Sequence, residues 1–255
     1  MSGEPISIRS VSFHKKCRLS IADHAKLVAV TELSDVEDEL RAHGLEPRGA
    51  FHPRQSDAVP ALTDGRPAGT LVLAGNLGAS MWAQFARERR DERDPLDRWS
   101  ARLLATVAER FAATVLLPSD GPPYPPFQRW AARAGPVYRS PLGLLIHPDF
   151  GLWHAYRGAL VFAECFALPP RDARPSPCDS CRDRPCLSVC PVSAFTAAGY
   201  DAAACAAHLE SGAGAACIDS ACLARAACPV GREHRYPTEP ARFHMRAFLS
   251  GRTRR

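Results

Sequence analysis

Cys178-Asp179-Ser180-Cys181-Arg182-Asp183-Arg184-Pro185-Cys186-Leu187-Ser188-Val189-Cys190-Pro191 is the stretch of this 255-residue chain that decides how the rest is read. Its spacing is CxxCxxxxCxxxCP. A looser second half follows, with Cys205, Cys217, Cys222 and Cys228-Pro229, so that eight of the ten cysteines fall within 51 residues. In a chain that opens without a secretion signal, such crowding argues for metal ligation rather than disulfides. Three closely spaced thiolates curl a loop around a four-iron cluster, and the cysteine before proline must come from elsewhere because a short loop cannot surround four irons. In two-cluster ferredoxins the Cys-Pro cysteine of each half serves the opposite cluster. By that logic Cys178, Cys181, Cys186 and Cys228 hold one [4Fe-4S] cluster, and Cys190, Cys205, Cys217 and Cys222 hold the other. Structural zinc is the competing reading, since CxxC with two further cysteines also closes a tetrahedral site. Two Cys-Pro steps and eight thiolates without a well-placed histidine speak for iron and sulfur. The first half carries two more residues before Cys186 than the usual CxxCxxCxxxCP. Cys17 and Cys165 stand outside the pattern and are expected to be ordinary buried thiols.

Upstream, Leu168 to Pro177 is rich in proline and arginine and reads as a boundary. Before it, residues 34–170 alternate helical and strand patterns and predict one α+β domain. Ser34-Asp35-Val36-Glu37 has the form of a capping box, Val36 and Leu40 share a helical face, and Gly44 supplies a stop. Thr70-Leu71-Val72-Leu73-Ala74, bounded by Gly69 and Gly75, suits a central strand covered on both faces. After Asp94-Pro95 the stripe Leu96, Trp99, Leu103, Val107 and Phe111 predicts the longest helix. Val115-Leu116-Leu117 predicts a strand ending at Asp120, a helix is expected around Phe127 to Ala134, and the run Leu142 to Ile146 and a strand from Ala159 to Phe166 follow. Residues 1–33 read as an extension, 171–231 as a ferredoxin-type module, and 232–255 as a basic tail ending in Arg252, Arg254 and Arg255.

The composition is 46% hydrophobic, enough for an ordinary core, and no run of about 18 uncharged apolar residues occurs. A cytoplasmic protein without a membrane partner is the expectation. The formal charge of +5 is weak ground for nucleic-acid binding. Its arginines are scattered, and two clusters at roughly −2 each would bring the loaded protein to about +1.

Leu145-Ile146-His147-Pro148-Asp149-Phe150-Gly151-Leu152-Trp153-His154-Ala155-Tyr156-Arg157-Gly158 resembles the I-H-P-x-F-G-x-W-x-x-x-R-G segment of cobalamin-processing proteins of the CblC type. Val36-Glu37-Asp38, Gly44-Leu45-Glu46, Leu71-Val72-Leu73 and Asp94-Pro95-Leu96-Asp97 resemble further stretches of that family in the same order. The cysteine segment resembles the ferredoxin module of epoxyqueuosine reductases and reductive dehalogenases, which join a related cobalamin-binding fold to two clusters. The resemblance implies a nitroreductase-like cobalamin-binding domain followed by a small ferredoxin-like dicluster domain. Pro136-Val137-Tyr138-Arg139-Ser140 stands where the reductases carry a Gly-Trp-Ile-Gly-Lys stretch, which argues against epoxyqueuosine as the specific substrate.

By the same resemblance, Tyr138, Leu145 and Tyr156 fall at cobalamin-contacting positions, Arg157 at an arginine associated with glutathione, and Asp120 at an aspartate able to bond a corrin amide or give a proton. Each has a plainer role open to it: core packing for the tyrosines and leucine, a salt bridge for Arg157, a turn for Asp120 and for His147. Two functions are carried forward. One is a corrinoid-dependent oxidoreductase that passes electrons from two clusters to cobalamin, for removal of its upper ligand or reduction of a substrate, with a flavodoxin or ferredoxin as donor. The other is a ferredoxin-like electron-transfer protein that binds no corrinoid.

Overall fold

The computed structural model describes residues 32–196 and 198–252. Cys17, Arg254, Arg255 and nearly all of the expected extension lie outside them. The described residues group as one unit. In chain order its first elements are α1 (Leu33–Ala42), β1 (Glu46–Phe51), β2 (Thr70–Leu77), α2 (Trp82–Glu88), α3 (Pro95–Phe111), β3 (Thr114–Leu116), α4 (Phe127–Ala134), β4 (Tyr138–Arg139), β5 (Leu145–Ile146) and β6 (His154–Phe162). Then come α5 (Pro185–Ser188), β7 (Phe195–Thr196), β8 (Gly199–Tyr200), α6 (Ala202–Glu210), α7 (Ala215–Asp219), α8 (Leu223–Ala226) and α9 (Thr238–Arg252). The architecture is mixed α+β, as expected.

The apolar run after Gly69 makes β2 a central strand. The four-stranded sheet has the order β1-β2-β6-β3, every neighbouring pair antiparallel. Side chains alternate across it. Val72 and Ala74 of β2, with Leu160 and Phe162 of β6, meet Val36, Leu40, Trp99, Leu104 and Val107 from α1 and α3. Leu71, Leu73, Ala159 and Val161 face the other way, onto Phe127 and Trp130 of α4. Burial on both faces removes the need for polar alternation, which is why the run is continuously apolar. Trp130 also gives its indole N–H to the Asp57 carbonyl at 2.8 Å, so the largest ring on that face leaves no polar atom unpaired.

Several expectations change. Helix α1 starts one residue before Ser34, and the reciprocal cap joins Glu32 to Asp35, whose carboxylate accepts from the Glu32 N–H at 2.9 Å. The strand expected from Ala159 to Phe166 runs instead from His154 to Phe162, because Arg157 is the extra residue of a bulge in β6, opposite Ala74 and Gly75, beyond which pairing continues through Tyr156, Ala155 and His154. A Cβ on Gly75 would stand 1.8 Å from the Ala155 carbonyl oxygen. Cys165 is disulfide-bonded, not a free thiol. The segment expected as a solvated basic tail forms the 15-residue helix α9. Its Phe243 packs edge-on against Trp82 and Phe85 at 5.3 Å each, and Ala241 is fully buried. That apolar stripe, together with a two-pronged Arg242–Asp219 ion pair, holds the helix to the body.

Candidate functional site

Residues 178–228 form little regular structure: helices of four and five residues, one two-residue hairpin, and α6. Their cysteines nevertheless collect into two sets. In the first, Cys186 lies within electrostatic reach of Cys228, Cys178 and Cys181, Cys178 of Cys228 and Cys181, and Cys228 of Cys181. In the second, Cys217 interacts with Cys190 and Cys205, and Cys222 with Cys217 and Cys205. These are the two groups expected from crossing the Cys-Pro cysteines between the halves. Among the described residues, no three or more His, Cys, Asp or Glu side chains come close enough to share one metal ion.

Burial raises the pKa of the Cys178, Cys186, Cys217, Cys222 and Cys228 thiols, and neighbouring sulfurs add to the rise. Opposing it are backbone N–H groups aimed at sulfur. Leu223 serves Cys217, Ala224 and Arg225 serve Cys222, and Val230 serves Cys228. The Ala194 N–H lies 3.3 Å from the Cys190 sulfur. Apolar surroundings with amide donors turned to the sulfurs suit thiolates that hold a delocalised cationic core, and hydrogen bonds of this kind help set the potential of a cluster. On the chemistry of these donors, both sets fit the iron-sulfur groups expected of them.

The first set is built onto the IHPDFG turn. Cys178, Cys181, Cys186 and Cys228 line a small cavity whose other wall includes Leu142, Ile146 and Leu152. Gly151 (φ +54°) and the Val230-Gly231 backbone touch directly. A Cβ on Gly151 would stand 2.0 Å from the Val230 carbonyl oxygen, and one on Gly231 (φ +67°) 2.4 Å from the Phe150 carbonyl carbon. Only glycine meets both the left-handed backbone and the close approach. Arg225, between the last two cysteines, gives Nη2–H and Nε–H to the Leu152 carbonyl at 2.6 and 3.1 Å and lies 4.3 Å over the buried Trp153 ring.

His147 closes that turn. Its backbone exchanges hydrogen bonds with Gly151, its Nδ1 accepts from the Asp149 N–H at 3.1 Å, and its ring stacks on Phe150. Burial, then the Arg48 charge, lowers its pKa to about 4. The same two causes lower His154 to about 3, and its Nε2 lies 3.1 Å from the Leu145 carbonyl oxygen. Both imidazoles are therefore neutral at pH 7. Arg48 is itself buried, 5.0 Å over Phe150 and bonded to Tyr156. Nothing in the sequence marks Arg48, because Pro47-Arg48-Gly49 has no motif around it.

The expected corrinoid residues do not all meet. Tyr156 and Arg157 line one small pocket with Asp97, Leu117, Pro118 and Ser119, and Asp120 belongs to the loop that supplies the last three. Asp120 is exposed, and its carboxylate accepts from the Leu117 N–H at 2.7 Å, which is the work of a turn former. Tyr138 packs on the apolar cluster that includes Cys178 and Cys186, and its hydroxyl donates to the Arg174 carbonyl. Leu145 packs on the α4 side of the sheet.

Arg157 is also a wall of a much larger cavity, about 1030 Å³, between α9 and the segment 89–97, which joins α2 to α3 and includes the first turn of α3. Its Nε–H reaches Asn76 Oδ1 at 3.1 Å, and the Asn76 amide reaches the Tyr236 hydroxyl at 3.4 Å. Tyr236 stacks with His244 of the large cavity and meets Trp153 edge-on at 5.3 Å, while Arg225 covers it at 4.7 Å. A packed chain of side chains thus runs from the cavity to the loops of the cysteine sets. Nothing in the sequence reading marks Asn76, Arg225, Tyr236 or His244; the glycine before Asn76 and the aromatic residues Tyr236, Phe243 and His244 at and just before α9 were the available signals.

A scan against protein-family models finds no match for this chain, and a search among curated proteins finds none either.

Proposed function

We propose that the chain is a two-cluster iron-sulfur protein that reduces a corrinoid bound at the Tyr156-Arg157 wall: a cytoplasmic oxidoreductase, with residues 34–170 a nitroreductase-like cobalamin-binding part and 171–231 a ferredoxin-like part. The observation that carries the reading is the sorting of eight cysteines into two sets of four, crossed between the halves, beside the IHPDFG turn. The chemistry supplied by such groups is single-electron transfer at low potential to cobalamin, whose reduction becomes easier without an axial base.

The chain's own residues have the remaining roles. Cys178, Cys181, Cys186 and Cys228 hold one cluster and Cys190, Cys205, Cys217 and Cys222 the other, with the amides of Leu223 to Arg225 and Val230 donating to sulfur. Gly151 and Gly231 keep the first set close to the turn. Arg157, held by Asn76, presents a fixed positive charge where the acceptor docks, and Asp120 can meet an amide of the corrin from the neighbouring loop.

Anaerobic metal analysis with a cobalamin titration tests both parts. About eight irons and eight sulfides per chain are expected, falling by about four in Cys181→Ala and by about four in Cys217→Ala. Stoichiometric zinc would overturn the cluster assignment. Added cobalamin should bind and shift to a base-off visible spectrum; clusters without that shift would favour the second reading, an electron-transfer protein that binds no corrinoid. The placement of Tyr138 and Leu145 away from Arg157 is the observation on that side.

A further inference from the structure

The large cavity has a chemistry of its own, set mainly by residues outside the resemblance. Its lining carries five arginines, at 89, 93, 157, 242 and 246, against the three carboxylates Asp94, Asp97 and Glu239. Arg242 is spoken for by Asp219, and Arg93 lies 3.3 Å from Asp94. Arg157 is held by Asn76 and is 4.0 Å from Asp97. Arg89 and Arg246 make no ion pair among the described residues, and both are exposed, one from each side of the cavity. Arg246 stands one turn after Arg242 and three residues after Phe243, on the stripe of α9 that faces the cavity. Phe243 and Trp82, edge-on to each other at 5.3 Å, provide an aromatic wall next to these charges. His244 is held neutral, its pKa lowered to about 3 by burial and then by Arg157 and Arg225.

Two exposed guanidinium groups that form no ion pair among the described residues, lining a cavity of this size beside aromatic rings, match a ligand carrying a phosphate and a flat ring. Guanidinium forks bind phosphate oxygens two at a time, and rings bind aromatic walls through their faces and edges. We propose that this cavity is a phosphate-recognising site in which Arg89 and Arg246 bind the anion and the Trp82-Phe243 wall receives a planar group. The phosphate can belong to a free nucleotide-like compound or to the nucleotide arm of a corrinoid, and the two sources are separable by experiment. The inference does not depend on iron-sulfur or corrinoid chemistry, since the residues that carry it ligate no metal.

The test is calorimetric titration of the full-length, anaerobically purified protein with inorganic pyrophosphate, AMP, cobalamin and cobinamide, the last lacking the phosphate-bearing arm. The variants are the double substitution Arg89→Ala/Arg246→Ala, the single charge reversal Arg246→Glu, and Arg129→Ala on α4 as a control away from the cavity. We expect pyrophosphate or AMP to bind, with the double variant at least about tenfold weaker, Arg246→Glu also weaker than the parent, and Arg129→Ala unchanged. Tighter binding of AMP than of pyrophosphate, lost in Trp82→Ala, would assign the ring to the aromatic wall. A preference for cobalamin over cobinamide that disappears in the double variant assigns the phosphate to the corrinoid; AMP binding without that preference assigns it to a separate ligand. The proposal is overturned if none of the probes binds more tightly than about 1 mM, or if the double variant binds them as well as the parent does. Nucleotide binding in a protein that ignores both corrinoids would remove the corrinoid reading while leaving this one intact.

Discussion

The sheet region and the cysteine region of this molecule are stabilised by different means. In the first, Trp99, Trp130, Phe85, Phe162 and Leu160 are buried to 1% exposure or less, and both faces of the sheet are covered. Among the described residues between 171 and 228, no large hydrophobic side chain is buried so deeply, Leu209 at 3% exposure being the nearest; the other buried residues are alanines, a glycine and the cysteines Cys217 and Cys228. Apolar burial contributes about 25 cal/mol per Å², so alanines contribute little against the entropy of ordering some fifty residues. The comparison teaches that the cysteine region needs a second source of stability, and the clusters proposed for its eight sulfurs would supply one.

The strongest way to break that contrast is to remove the metal that the proposed function requires. Chelation of the reduced protein should speed amide exchange across residues 178–228 by orders of magnitude while β2 and β6 keep their protection, since metal binding free energy in small sites is folding free energy. Equal loss in both regions, or none in either, would erase the distinction. The converse experiment attacks hydrocarbon packing. Trp99→Ala should cost about 3–5 kcal/mol in a denaturant titration yet leave iron content per folded chain unaltered.

A smaller effect is expected where the regions meet. Gly231→Ala places a Cβ against the Phe150 backbone in left-handed conformation, and should destabilise by about 2–3 kcal/mol and lower the retention of the first cluster more than that of the second. Uniform loss of both clusters would show that the junction does not act through the first set. The smallest effect is a pH dependence on the sheet side. His154 has a folded pKa of about 3, below the usual 6.5 of an unfolded imidazole. Below pH 6.5 the unfolded chain therefore binds the proton first, and stability falls as pH falls until about pH 3. Between pH 6.5 and 5 the loss is about 2 kcal/mol at most, and His154→Gln should flatten that slope in denaturant midpoints taken at the two values.

Much of the sheet was legible because its signals are local. The Thr70 to Ala74 run, the Pro95 start of α3, the Gly44 stop and the Phe127 helix each depend on periodicity or backbone preference within a few residues. What went unread depends on distant partners. The start of β6 at His154 went unread because its pairing continues across a bulge at Arg157, and α9 looked like a basic tail because its apolar stripe has no meaning until Phe243 is placed beside Trp82 and Phe85. Arg48 had no motif, since its role comes from being buried between Phe150 and Tyr156.

The same division holds at the candidate site. Spacing singled out eight cysteines, and the ferredoxin pattern of Cys-Pro steps reaching across gave an expected division, with which the electrostatic grouping of the sulfurs agrees. Which surface those sulfurs rest on, and that Gly151 and Gly231 bring them against the IHPDFG turn, came only with the folded chain. Contacts between residues eighty positions apart are decided by the packing of whole elements, which no short window of sequence contains. The arginine-lined cavity belongs wholly to this second kind: its two walls, the 89–97 segment and α9, are about 150 residues apart in the chain and become one site only when Phe243 seats against Trp82.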